Sequence, residues 1–207
     1  MPFYPNKNIL FIHIPKTGGT NIEDNLKLQT KQVLWTDVKN GILPAPFDNV
    51  SLQHQYYNTI FDFQNLLNIK INTNTKVFAV VRNPYDRIIS DLFWFKLITK
   101  DSTPSKIYSI IRNQFLNSDY FDNHNKPQFN YVVDANGVIH PNIKIFKCEN
   151  LNEENEKLSK FLNININIKN NKANKDYSKY LNKHSILLIN RVYEKDFEMF
   201  NYNKKTI

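Results

Sequence analysis

Asn8-Ile-Leu-Phe-Ile-His-Ile-Pro-Lys-Thr-Gly-Gly-Thr20 reads as strand, phosphate loop and helix start in immediate succession. The apolar run stops at Pro15. Lys16, Thr17, Gly18, Gly19 and Thr20 follow, and Ile22 and Leu26 then recur one helical turn apart. Glycines let a backbone turn sharply and bring its N–H groups close to an anion. The helix adds the positive end of its dipole and Lys16 adds a full charge. The expected ligand is a phosphate or sulfate ester. The common nucleoside-triphosphate loop places Gly, four residues, Gly-Lys and then Ser or Thr; here the lysine precedes the paired glycines and no glycine lies upstream.

A second unit of the same kind follows. Lys76-Val-Phe-Ala-Val-Val81 is a continuous apolar run of the sort that a parallel sheet buries on both faces. It leads into Arg82-Asn-Pro-Tyr-Asp-Arg87, where Asn83 suits an N-cap, Pro84 the first helical position and Asp86 the first turn. Ile88, Ile89, Leu92, Phe93 and Leu97 then mark a helix face as far as about Ile98. Arg82 stands at the C-terminal end of the strand, where open α/β sheets bind ligands, and its guanidinium presents a planar fork to phosphate oxygens.

Elsewhere, Ile143 to Lys147 is a further strand and Gln32 to Trp35 a short one. Helices are expected from Thr20 or Asn21 to about Leu28, around Ile60 to Leu67, and over Lys106–Leu116, Glu153–Leu162 and Ile186–Phe200. The last docks through Leu187, Val192, Phe197 and Phe200. Asn136-Gly137, between Tyr131 and His140, predicts a hairpin. Residues 36–51 are a loop. Residues 163–176 alternate with strand period, but their composition bias favours a polar, basic loop. Strands alternating with helices imply an α/β fold with a mainly parallel central sheet covered on both faces, and both anion-binding turns at one sheet edge.

The 207 residues suit one domain with a real core. Lys and Arg number 27 against 19 Asp and Glu, a net charge of +8, so the field of the protein attracts anions. A mean hydropathy of −0.52 marks a very polar surface. One cysteine, Cys148, excludes an internal disulfide and any cysteine-rich metal site. No apolar run reaches the length of a membrane span.

Pro15-Lys-Thr-Gly-Gly-Thr20 resembles the 5′-phosphosulfate loop of sulfotransferases, in particular the carbohydrate sulfotransferase family that includes heparan-sulfate 2-O-sulfotransferases. Phe78-Ala-Val-Val-Arg-Asn-Pro-Tyr-Asp-Arg-Ile-Ile-Ser90 is similar to the 3′-phosphate segment of the same enzymes. The segments Gly137–Leu151 and Tyr193–Tyr202 also resemble the family, so the likeness runs from about Asn8 to Tyr202. It implies a P-loop-like three-layer sandwich over residues 1–207 and an O-sulfotransferase that uses PAPS (3′-phosphoadenosine-5′-phosphosulfate), releases PAP and needs no metal. Lys16, Thr17, Gly18, Gly19, Thr20 and Asn21 would then surround the 5′-phosphosulfate, with Lys16 on the leaving oxygen, and Arg82 and Ser90 would hold the 3′-phosphate. The acceptor would be an anionic or neutral glycan rather than nucleic acid.

His54 is the expected general base. It follows the long loop, its surroundings resemble the family segment with the catalytic histidine, and imidazole titrates near neutrality. Glu23 or Asp24 is the fallback. His13 is read as structural, and no motif surrounds His124, His140 or His184. Arg87 is a weaker cofactor candidate than Arg82; Tyr56, Tyr57 and Trp94 are candidates for stacking on adenine or sugar, and Lys169, Lys172 and Lys175 for meeting an anion. Golgi members of the family carry an N-terminal anchor; here Met1 to Lys7 run straight into a strand, and the expectation is a soluble, cytoplasmic protein. Two other readings stand beside the enzyme: a P-loop-type nucleotide or small-molecule kinase, and a non-catalytic module that binds PAP or glycan.

Overall fold

Every described strand is short, and three of the four end where a ligand would sit. The computed structural model describes residues 1–27, 30, 47, 50–168 and 176–207. Strands β1 (Phe3–Tyr4), β2 (Ile9–Ile12), β3 (Lys76–Val81) and β4 (Ile143–Lys147) form one sheet in the order β1-β2-β3-β4. β1 pairs antiparallel with β2. The other two pairings are parallel, with Ile9 opposite Lys76 and Val77 opposite Ile143. The C-terminal ends of β2 and β3 therefore lie side by side.

Because side chains alternate across a strand, β2 and β3 are split between two cores. Leu10, Ile12, Val77, Ala79 and Val81 face a cluster with Leu52, Tyr57, Ile60, Tyr131 and Phe200. Ile9, Phe11, Phe78 and Val80 face Ile22, Leu26, Leu158 and Leu162 on the other side. These last residues come from α1 (Gly19–Lys27) and α5 (Asn155–Leu162), and Tyr57 and Ile60 from α2 (Tyr57–Asp62). The result is the expected three-layer α/β arrangement, a mostly parallel sheet with helices on both faces.

A third core lies around α3 (Pro84–Trp94), α4 (Pro104–Ile110), α6 (Lys183–Val192) and α7 (Glu194–Met199). α3 starts as its sequence dictates: the Asn83 side chain accepts from the Tyr85 N–H at 3.1 Å, and Pro84 fills the first position. Among the described residues no helix is long and apolar enough to cross a membrane.

Several elements differ from expectation. Asn136-Gly137 does make a turn, with Gly137 at φ 76° and the Asp134 carboxylate accepting from Asn136 and Val138 N–H, yet its flanks form a single bridge, Val133 to Ile139. The residues before it are committed elsewhere, since Gln128–Tyr131 winds into a 3₁₀ turn. The helix from Lys106 gives way to a π turn over Ile111–Phe115, and the terminal helix breaks at Tyr193 into α6 and α7, leaving Leu187 exposed rather than docked. Residues 163–168 are no polar loop. Ile164, Ile166 and Ile168 are buried against the α1–α5 face while the asparagines between them point outward. Side chains replace a neighbouring strand there: Ser159 bonds the Ile166 N–H and carbonyl, and Asn155 does the same for Ile168. The Gln32–Trp35 strand, most of the 36–51 loop, and Lys169, Lys172 and Lys175 fall outside the described residues.

Candidate active site

The turn after β2 is built around two left-handed residues, Lys16 (φ 65°) and Gly18 (φ 91°). A lysine in that region is uncommon and stays there only when its surroundings hold it. Here the Lys16 carbonyl accepts from Arg82 Nη1 at 3.2 Å, which ties the first anion turn to the second. The Lys16 ammonium lies 4.2 Å from the centre of the Trp94 ring. Thr17 is buried and turns its hydroxyl inward to the Ile14 carbonyl at 2.8 Å, so it presents main chain rather than a hydroxyl to the loop's concave side. Gly19 opens α1, with Thr20 and Asn21 in its first turn. A Cβ on Gly19 would stand 2.2 Å from His13 Nε2, so only glycine fits against that ring.

Arg82 is buried at the end of β3. Its main-chain N–H donates to Gln128 Oε1 and its carbonyl accepts from Gln128 Nε2, both at 2.8 Å. Gln128 is in turn held by the buried Asp196 carboxylate, which accepts from the main-chain N–H groups of Gln128 and Phe129 at 2.9 Å. The guanidinium beyond this clamp is incompletely used. Nη1 reaches Lys16, whereas Nε and Nη2 are buried and have no hydrogen-bond partner among the described residues. Buried donors in this condition are rare and expensive, and an anion is the partner that a guanidinium fork accepts best. Ser90 is half-buried on α3, one turn before Trp94 and so on the same helix face.

Three histidines stand in a row beside this pocket. The rings of His13 and His54 meet edge to face at 5.2 Å between centroids, and those of His54 and His124 at 4.9 Å. Each has a carboxylate at Nδ1: Glu23 for His13, Asp122 for His54 at 2.7 Å, and Asp91 for His124 at 2.7 Å. Glu23 is thus buried in a pair with His13, which removes it as the fallback base, while Asp24 is exposed. Asp122 and Asn123 both sit at positive φ, 48° and 64°, a bend that swings the Asp122 carboxylate onto Ser51 and His54.

Burial drives His54 down to about 3, against the opposing hydrogen bond from Asp122 and with help from the neighbouring imidazoles of His13 and His124. Burial alone would raise Asp122, but the His54 and Ser51 donors hold it below the usual carboxylate range. The pair is therefore neutral imidazole beside ionised carboxylate. An ionised carboxylate only accepts, so Nδ1 carries the His54 proton and Nε2 carries the lone pair.

His54, Asp122 and His124 also place ligand atoms within 4.8 Å of one another, the one such group among the described residues. Both Asp122 oxygens already accept hydrogen bonds from Ser51 or His54, so the group is satisfied without an ion.

A family model described as the sulfotransferase family matches residues 3–203. The chain belongs to that family. No curated protein and no solved structure matches it.

In this sulfotransferase the turn after β2 and the stretch that carries His124 of the histidine row meet through Arg87. Its guanidinium is buried and donates to three carbonyls: Pro15 at 3.1 Å through Nε, Lys126 at 2.9 Å through Nη1 and His124 at 2.6 Å through Nη2. Each nitrogen donates to a carbonyl and the side chain is buried, so Arg87 acts as a brace between main-chain segments. Asp122, His124, Gln128 and Asp196 escaped the sequence reading. The pairs that matter span 68 residues for His54–Asp122 and 46 for Arg82–Gln128, and no periodic pattern encodes them. One signal was available: Asp122-Asn123 is a dipeptide that tolerates the left-handed region, next to a histidine.

Proposed function

We propose that this sulfotransferase is a single-domain, PAPS-dependent O-sulfotransferase acting on a carbohydrate hydroxyl. The observation that carries the reading is the Arg82 guanidinium, buried with Nε and Nη2 unused and joined through Nη1 to the turn that holds Lys16. Two anion sites at the ends of adjacent parallel strands suit a ligand with two separated phosphate groups. That is a requirement PAPS meets and ATP, with one phosphate chain, does not. Two hydrophobic clusters share the one sheet, and Tyr202 packs against both the first of them and the third cluster, which supports the single-domain reading.

PAPS, when bound, supplies an activated sulfuryl group on a phosphate leaving group. The α1 N-terminus and the loop N–H groups receive the 5′-phosphosulfate, and Lys16 stabilises negative charge as it develops on the bridging oxygen. Arg82 and Ser90 receive the 3′-phosphate. His54 Nε2 would take the proton of the acceptor hydroxyl, leaving a protonated imidazole facing Asp122, and the bound donor would supply the sulfuryl group and the phosphate leaving group. Asp122 keeps the acceptor-facing nitrogen unprotonated beforehand and favours the imidazolium afterwards. Burial keeps the resting His54 neutral across the physiological range; the same burial weakens it as a base, and the Asp122 carboxylate opposes that effect.

Calorimetry with PAP tests the donor site, and transfer of radiolabel from PAPS to a panel of glycans tests the reaction. Binding of PAP at one site and label transfer that falls at least about 100-fold in Lys16→Ala and His54→Ala, with folding retained, are the expected results. Failure of the unmodified protein to bind either PAP or PAPS would remove the proposal.

A further inference from the structure

We propose that Trp94 is the platform on which the acceptor's sugar ring lies, an acceptor subsite that rests on the sulfotransferase reading above. Trp94 is the last residue of α3 and is 64% exposed, the most open of the large apolar side chains among the described residues. Exposing an indole is unfavourable by the whole hydrophobic transfer of a large ring, and single open aromatics of this kind are enriched where a ligand has one apolar face and one wet edge. A pyranose has that character, with a face of C–H bonds and a rim of hydroxyls.

Its position selects the acceptor. On one side the Lys16 ammonium stands 4.2 Å from the indole centre, so the ring borders the point at which the sulfuryl group would leave its donor. On the other side the chain passes at once to Phe95, whose ring meets His124 at 4.9 Å, and His124 meets His54 at the same separation. The end of α3 thus spans the gap from the donor lysine to the row of histidines. An acceptor hydroxyl that attacks the sulfur beside Lys16 and gives its proton to His54 must lie between them, and Trp94 offers an exposed apolar surface beside that place. Arg82 faces a different aromatic, Tyr177, at 5.8 Å.

Trp94→Ala and Trp94→Phe are compared with the unmodified protein in PAP calorimetry and in steady-state transfer to neutral and uronic-acid-bearing oligosaccharides. Ring stacking of ordinary strength predicts that Trp94→Ala raises the acceptor KM about tenfold while the PAP Kd stays within about twofold, and that Trp94→Phe recovers most of the loss. The exposure of the side chain makes both variants safe for folding. A second readout needs no turnover. The chain has two tryptophans, so in a Trp35→Phe background the emission reports Trp94, and saccharides that act as acceptors should shift or quench it in the presence of PAP. A weakening of PAP binding by Trp94→Ala as large as the KM effect would overturn the proposal and assign the indole to adenine. So would an unchanged KM together with emission that no saccharide in the panel alters. Absence of PAP binding by the unmodified protein is a separate failure; it removes the donor reading and the subsite with it.

Discussion

After β2 the chain bends through two left-handed residues and offers main-chain N–H groups with one flexible ammonium; after β3 it enters a helix at once and offers a single guanidinium. The two turns lie on neighbouring parallel strands and, as proposed anion sites, are built differently. The first is a backbone device. Its shape depends on Gly19 lying against the His13 ring, and its charge sits at the end of the Lys16 side chain, over the Trp94 ring. The second is a side-chain device whose strand end is clamped by Gln128 and Asp196, with little freedom left. On the proposed reading the first turn meets developing charge and the second only holds a ligand, so the two should fail in different ways.

Mutations can break each turn separately. Lys16→Ala should have the largest effect, lowering kcat by about 100- to 1000-fold, as loss of one donor to a developing oxyanion does, with a smaller change in PAP affinity. A PAP affinity loss as large as the kcat loss would erase the distinction between the two turns. Arg82→Ala should do the reverse, weakening PAP binding by about 1.5–3 kcal/mol, read by calorimetry. Arg82→Lys should restore little of it, because an ammonium cannot present the fork. Gly19→Ala should destabilise the protein by about 1–3 kcal/mol in urea unfolding, since the added Cβ drives the His13 ring from its place, and should disturb the histidine row with it. The gentlest effect is one of pH. His54 binds its proton far less readily in the folded state than in the unfolded one, so between about pH 6.5 and about 3 the unfolded chain carries more protons and stability falls as the solution is acidified. The slope is at most about 1.4 kcal/mol per pH unit. Urea midpoints in His54→Gln should lose that part of the slope, and an unchanged slope would show that another group carries it.

The two turns of the candidate site were legible in the sequence because their determinants are local. Lys16, Gly18 and Gly19 are consecutive with the strand that positions them, and Asn83-Pro84 caps α3 within the motif that contains Arg82. The three longer strands were legible for the same reason, as unbroken apolar runs. The base half was not. His54 was found through a resemblance, but its carboxylate comes from Asp122 and its neighbour from His124, and only tertiary packing chooses such partners. Residues 163–168 show the opposite error. Their isoleucines do alternate as a strand, and distrust of a biased composition hid a period that the fold uses to cover its core.

Arg87 donates to the phosphate loop with one nitrogen and to the stretch behind the histidines with two. Between that helix and that stretch lie Phe95 to Phe121, a long excursion that returns to the same guanidinium. That excursion supplies Ile98, Ile107, Ile111, Phe115 and Phe121 to the third core, so changes within it act through packing, while the distance from the phosphate loop to the histidine row is held by one residue that belongs to neither.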